Sequence, residues 1–206
     1  MKRDEMKKLK NNQKALELVI KSKSKLYGYK TVSGFVYKMV NDYLFIILIG
    51  INYINKNINV NIEYKPIVLD EIFWEIFNLK ENKNKPLSFH VNGAFTAKTM
   101  NIKTFELEYD NENEAESKFE EIINISNEII EKYEQKLNNI NNFYLEIQNN
   151  ENQYLNIILL DILKKNSIEA LGKINDCIKN YKTGGFMGDN GKSIIMYAKE
   201  YCEKNI

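Results

Sequence analysis

Residues 105–122 read FELEYDNENEAESKFEEI, and the grammar of the chain changes inside them. Phe105, Leu107 and Tyr109 alternate with Glu106, Glu108 and Asp110, the two-residue period of a strand with one wet face. From Asn111 onward the spacing becomes helical: Ala115, Phe119, Ile122, Ile129, Tyr133 and Leu137 fall on one stripe. A chain that runs through strands first and helices afterwards is α+β rather than α/β, because a parallel sheet needs the two to alternate.

Working back from that switch, Ile58, Val60, Ile62 and Tyr64 alternate with Asn59, Asn61, Glu63 and Lys65, a second half-buried strand. Tyr43 to Ile49 is almost continuously apolar, as expected of a strand covered on both faces. Tyr29 to Val40 is rich in β-branched and aromatic residues, with Gly34 read as a bulge or bend, and Asn41-Asp42 is a turn signal. Leu87, Phe89 and Val91 alternate with Ser88, His90 and Asn92, which reads as a further strand. The connections are short, so the expectation is an antiparallel sheet of about five strands. An amino-terminal helix ending near Leu26, with Gly28 as its stop, precedes the sheet. A short helix, with Asp70 as N-cap and Trp74 on its buried side, interrupts it.

Working forward, Tyr154 to Leu163 is apolar on most sides and reads as a buried helix. Another stripe runs from Ile168 to Tyr181, and a last helix from about Lys192 to Glu203. No linker composition separates the halves. The expected organisation is therefore one domain over residues 1–206, with residues 1–110 carrying the sheet and 111–206 forming a helical half packed on it.

Bulk properties exclude several classes. A net charge of +1 provides no general attraction to nucleic acid or an anionic bilayer, and Arg3 is the only arginine available to read phosphates or bases. The longest apolar run, Leu44 to Ile51, is far short of the roughly 20 residues a spanning helix requires, and Met1 to Lys14 is too charged for a signal peptide. Cys177 and Cys202 are too sparse for a disulfide framework, so a cytoplasmic protein with free thiols is expected.

Four features are candidate sites. The acidic series Glu106, Glu108, Asp110, Glu112 and Glu114, continued by Glu116, Glu120 and Glu121, suits a docking face for a basic protein, since complementary charge speeds and orients association; such a cluster also suits a hard metal ion or acid–base work. Phe186 and Met187, an apolar pair in the glycine-rich stretch from Gly184 to Gly191, suit a mobile contact loop. That stretch ends in Gly191-Lys192-Ser193, but the glycine spacing and the preceding helix do not fit a phosphate-binding loop. His90, the only histidine, with Ser88 beside it, is the one place where a small hydrolase could be built, using nearby carboxylates or a metal. No motif calls for a cofactor.

Gly28-Tyr29-Lys30, Phe35-Val36-Tyr37-Lys38 and the apolar strand after them resemble a bacterial domain-of-unknown-function family, in which a helix ends in a Gly-Phe-Lys-like turn and a short antiparallel meander follows. Tyr29 stands where that family has Phe. In size, acidic patches and mixed build the chain is also similar to immunity-type proteins of bacterial toxin systems. The resemblance covers the first half of the chain and implies a non-enzymatic interaction module; it implies no catalytic residue.

Overall fold

The computed structural model describes residues 18–52, 54–109, 112–137 and 139–205, with the backbone alone at 112, 113, 115 and 116. It confirms an α+β chain. Helix α1 covers 18–26, followed by β1 (Lys30–Val32), β2 (Phe35–Val40), β3 (Tyr43–Asn52) and β4 (Asn57–Pro66). Next come α2 (Val68–Ile76), a 3-10 turn at Lys80–Asn84, α3 (Leu87–Asn92) and β5 (Met100–Glu108). The chain ends in α4 (Glu112–Lys136), α5 (Ile140–Ile147), α6 (Tyr154–Leu163), α7 (Ser167–Lys179) and α8 (Ile194–Lys204). The five strands form an antiparallel sheet in the order β1-β2-β3-β4-β5.

Two sequence expectations about strands change. Tyr29 to Val40 is not one bent strand but a hairpin, with Val32 opposite Phe35. Its two-residue turn puts Ser33 at φ 47° and Gly34 at φ 85°, the doubly left-handed turn that suits the twist of paired strands. The second change is at Leu87–Asn92, which is helical. Six alternating residues are too few to separate the two periods, and Pro86, extended at the cap, starts a helical turn closed by the Gly93 amide donating to the Phe89 carbonyl. Any side chain at Gly93 would lie 2.3 Å from that carbonyl. One strand fewer here and one more in the hairpin leave five.

The residues group into two compact units. One comprises the chain up to Tyr64 together with Asn101–Lys136; the other comprises Lys65–Met100 and Leu137–Ile206. The boundary thus does not follow the change of grammar near Asp110, because α4 belongs with the sheet and the remaining helices with α2 and α3.

In the first unit β4 shows the anticipated alternation: Ile58, Val60, Ile62 and Tyr64 are buried and Asn59 is exposed. The Tyr64 ring lies 5.6 Å from Phe45 of β3 and 5.3 Å from Tyr133 of α4. Helix α4 covers this face with Phe119, Ile122, Ile123 and Ile130. It is fixed by Asn127, whose Oδ1 accepts from Tyr29 Oη at 2.8 Å and Lys38 Nζ at 2.9 Å. On the opposite, polar face, Asn57 and Asn61 of β4 bond to Glu106 and Thr104 of β5 at 2.8 Å each.

The second unit is built around α6, whose Leu155, Ile157, Ile158, Leu159, Leu160 and Ile162 are all buried, as the all-round apolar pattern required. Helix α2 contributes Leu69, Ile72, Phe73 and Trp74. Each such side chain is worth about 1.5–3 kcal/mol relative to exposure. Between α3 and β5 the chain takes no regular structure over 93–99.

Candidate functional site

The chemistry-bearing side chains of the second unit converge on Asp70. The sequence suggested this residue as the cap of α2, but the helix begins at Val68 with Ile67 at its cap, so Asp70 lies in the first turn and faces inward. Its Oδ1 accepts from Lys65 Nζ at 2.9 Å and from the Ala97 amide at 2.6 Å. Its Oδ2 lies 2.8 Å from His90 Nδ1 and 2.8 Å from Lys65 Nζ. All three residues are buried: Asp70 is 0% exposed, Lys65 1% and His90 5%.

Burying a charge costs several kcal/mol unless partners replace water. Here the carboxylate is surrounded by donors, and the ammonium, besides Asp70, donates to the Ala97 carbonyl at 3.1 Å. Burial pulls the Lys65 ammonium below its ordinary pKa, while the charge of Asp70 acts in the opposite direction. An ionised carboxylate can only accept, so in a pairing with the Asp70 carboxylate His90 Nδ1 is the donor. Trp74 covers the imidazole with ring centres 4.7 Å apart.

The same residues hold the segment 93–99. Trp74 Nε1 donates to the Phe95 carbonyl at 2.6 Å, and Phe95 itself sits at φ 59°, an unusual conformation for a bulky side chain. Further along, Asn156 Nδ2 donates to the Lys98 carbonyl at 2.7 Å and Gln153 Nε2 to the Thr99 carbonyl at 2.9 Å. A half-buried segment without strand or helix must find partners for its backbone, and here they are the buried side chains of β4, α2 and the chain around α6.

His90 is therefore an interior histidine on a helix, paired with a single carboxylate. Ser88, two residues away on α3, is about 200° around the helix from it and half-buried, so the two do not share a face as a strand would have required. No group of three metal-ligating side chains occurs among the described residues.

The acidic series divides. Glu106 and Glu108 are exposed on β5, an edge strand of the sheet, and Glu106 accepts from Asn57. Glu114 is half-buried on α4, Glu112 is described only as helical backbone, and Asp110 lies outside the described residues. Among the described residues no cation lies within ion-pair reach of Glu106 or Glu108, whereas Glu120 and Glu121 of α4 are paired with Lys23 and Lys118.

The glycine-rich stretch is ordered rather than loose. Met187 bridges Ser193, the Gly188 amide donates to the Lys192 carbonyl at 2.9 Å, and the Ile194 amide donates to the Phe186 carbonyl at 3.0 Å. Phe186 is half-buried, its ring edge-on to Phe73 at 4.9 Å, while Met187 remains 50% exposed. Of the expected contact pair, Phe186 is thus an anchor and Met187 the exposed member. Lys192 is bound to Glu200 at 2.6 Å and lies over the Tyr197 ring, and Ser193 caps α8, so the Gly-Lys-Ser run has structural duties.

Both cysteines are free and buried. Burial raises the Cys177 thiol above its ordinary value and pushes Cys202 up to about 11. Neither resembles an activated thiolate.

No family model, curated protein or solved structure matches this chain.

Sequence reasoning missed Lys65 and Asp70. The only signal was that strict alternation along β4 places Lys65 outward, immediately before a proline that ends the strand.

Asp70→Asn leaves Lys65 charged without its counterion, and we expect a loss of about 3–5 kcal/mol in urea unfolding together with early proteolytic cleavage within 93–99. Unchanged stability would show that the cluster holds nothing in place. For Cys202 the folded state favours the neutral thiol. Its contribution is complete below the unfolded thiol value and is lost as pH rises toward about 11, so Cys202→Ala flattens the alkaline limb of the stability curve over that window.

Proposed function

We propose that this chain is a protein-interaction module that docks a basic partner through the carboxylate-bearing edge strand β5. The observation that carries the reading is the contrast among its acids: Glu120 and Glu121 of α4 are paired with lysines, whereas Glu106 and Glu108 present their carboxylates to solvent on the polar face of the sheet. Unneutralised charge of one sign on a rigid strand orients an oppositely charged partner before contact. Glu112 and Glu114, next along the chain, extend the acidic series. Met187, exposed beside an anchored Phe186, is a second and separate candidate contact.

The similarity to the domain-of-unknown-function family and to immunity-type proteins gives this reading a setting: a bacterial, cytoplasmic binder whose partner is a basic toxin domain. Among the described residues no helix is long and apolar enough to cross a membrane. The test is capture from a lysate of the source cells, followed by titration of salt. Glu106→Lys with Glu108→Lys is expected to weaken capture at least about tenfold while circular dichroism stays unchanged. Equal capture by the reversed variant ends the proposal.

A second reading is supported by one contact. The 2.8 Å His90–Asp70 pairing is the geometry by which a carboxylate orients an imidazole base. A hydrolase built on it predicts cleavage of activated esters that His90→Gln abolishes without unfolding. Absence of turnover in the wild type, or turnover that survives the substitution, removes it.

A further inference from the structure

Within the first unit a cavity of about 460 Å³ opens between α1, the β1–β2 hairpin and the end of β3. Its size falls in the range of small-molecule sites, about 300–1,000 Å³. Its origin lies in the pattern of β3. Tyr43, Phe45 and Ile47 occupy one face of that strand and are fully buried. The same face continues with Ile49 and Ile51, which are only half-buried. These two isoleucines, with Val32 of β1 and Ile20 of α1, form the apolar walls. A concavity walled by apolar side chains with a few polar groups is the usual form of a small-molecule site.

Polar residues share the described lining: Lys21, Thr31 and Ser33 stand beside the four apolar side chains. Among the described residues Lys21 is the only charged member of the lining; it is exposed, and no carboxylate among them lies within ion-pair reach of it. Thr31 and Ser33 of the hairpin are the other polar residues of the described lining. We infer that this cavity binds a small amphipathic carboxylate, its hydrocarbon body against Ile20, Val32, Ile49 and Ile51 and its anionic head toward Lys21. The assignment is separate from docking at β5, because it uses none of the same residues.

Octanoate, kept below its micelle-forming concentration, is the probe. Saturable binding by calorimetry, with a rise in melting temperature that follows ligand concentration, is expected. 1-Octanol, which has the same chain without the charge, is expected to bind at least about threefold more weakly, as the loss of one partly exposed charge contact implies. Lys21→Glu is expected to weaken octanoate about tenfold and to leave octanol unchanged. Lys21 is exposed, so this variant keeps the fold, and circular dichroism checks that. Ile51→Trp fills the cavity from a half-buried position and is expected to abolish both ligands. No saturable binding, octanol equal to octanoate, or full affinity in Lys21→Glu each overturns the inference.

Discussion

The carboxylate of Asp70 has one lysine, one histidine and one backbone amide directed at it, all out of contact with solvent. In the second unit this cluster does what a sheet or helix does elsewhere. The segment 93–99 has no ladder of its own, yet it lies against a core that cannot tolerate unpaired amides and carbonyls. Asp70 takes the amide of Ala97, Lys65 takes its carbonyl, and Trp74 takes the carbonyl of Phe95. Gln153 and Asn156 satisfy the next two carbonyls. A bulky residue at positive φ persists only where its surroundings over-determine it, and Phe95 sits at the centre of that restraint.

That arrangement bears on function. A catalytic base needs access to substrate and a second group to act with it. His90 is packed under Trp74 and shares its only carboxylate with Lys65. The apparent phosphate-loop lysine is likewise committed, to Glu200 and the face of Tyr197. Glu106 and Glu108 face solvent with no cation within ion-pair reach among the described residues, on an edge of a sheet whose other face is closed by α4.

The fold was legible where one periodicity ran long enough to be unambiguous. The alternation of Ile58, Val60, Ile62 and Tyr64 and the all-round apolarity of Tyr154–Leu163 appear as read, and of the α4 stripe Phe119 and Ile122 are buried, with Ile123 and Ile130 beside them. Leu87–Asn92 was misread because six residues satisfy both periods, and the deciding factor, a proline cap and a glycine pressed against Phe89, acts through local geometry. The hairpin at Ser33-Gly34 was misread as a bulge for a similar reason: a left-handed pair of φ values needs only one glycine to signal it. Of the candidate sites, the exposed acids of β5 were visible as alternation. The partners of His90 were not, since Lys65 and Asp70 precede it by 25 and 20 positions and carry no distinguishing spacing.

By itself the sequence determined the class: strands of period two, helices of period 3.6 and a sheet of short antiparallel connections, because these follow from side-chain direction along a single element. Only the tertiary structure decided which unit each helix joins, which acids are neutralised, and that a lysine, an aspartate and a histidine meet out of water. Those outcomes depend on burial and on pairing between distant residues. The energy of a charge is set by what surrounds it, and a linear chain does not specify those surroundings until it has folded.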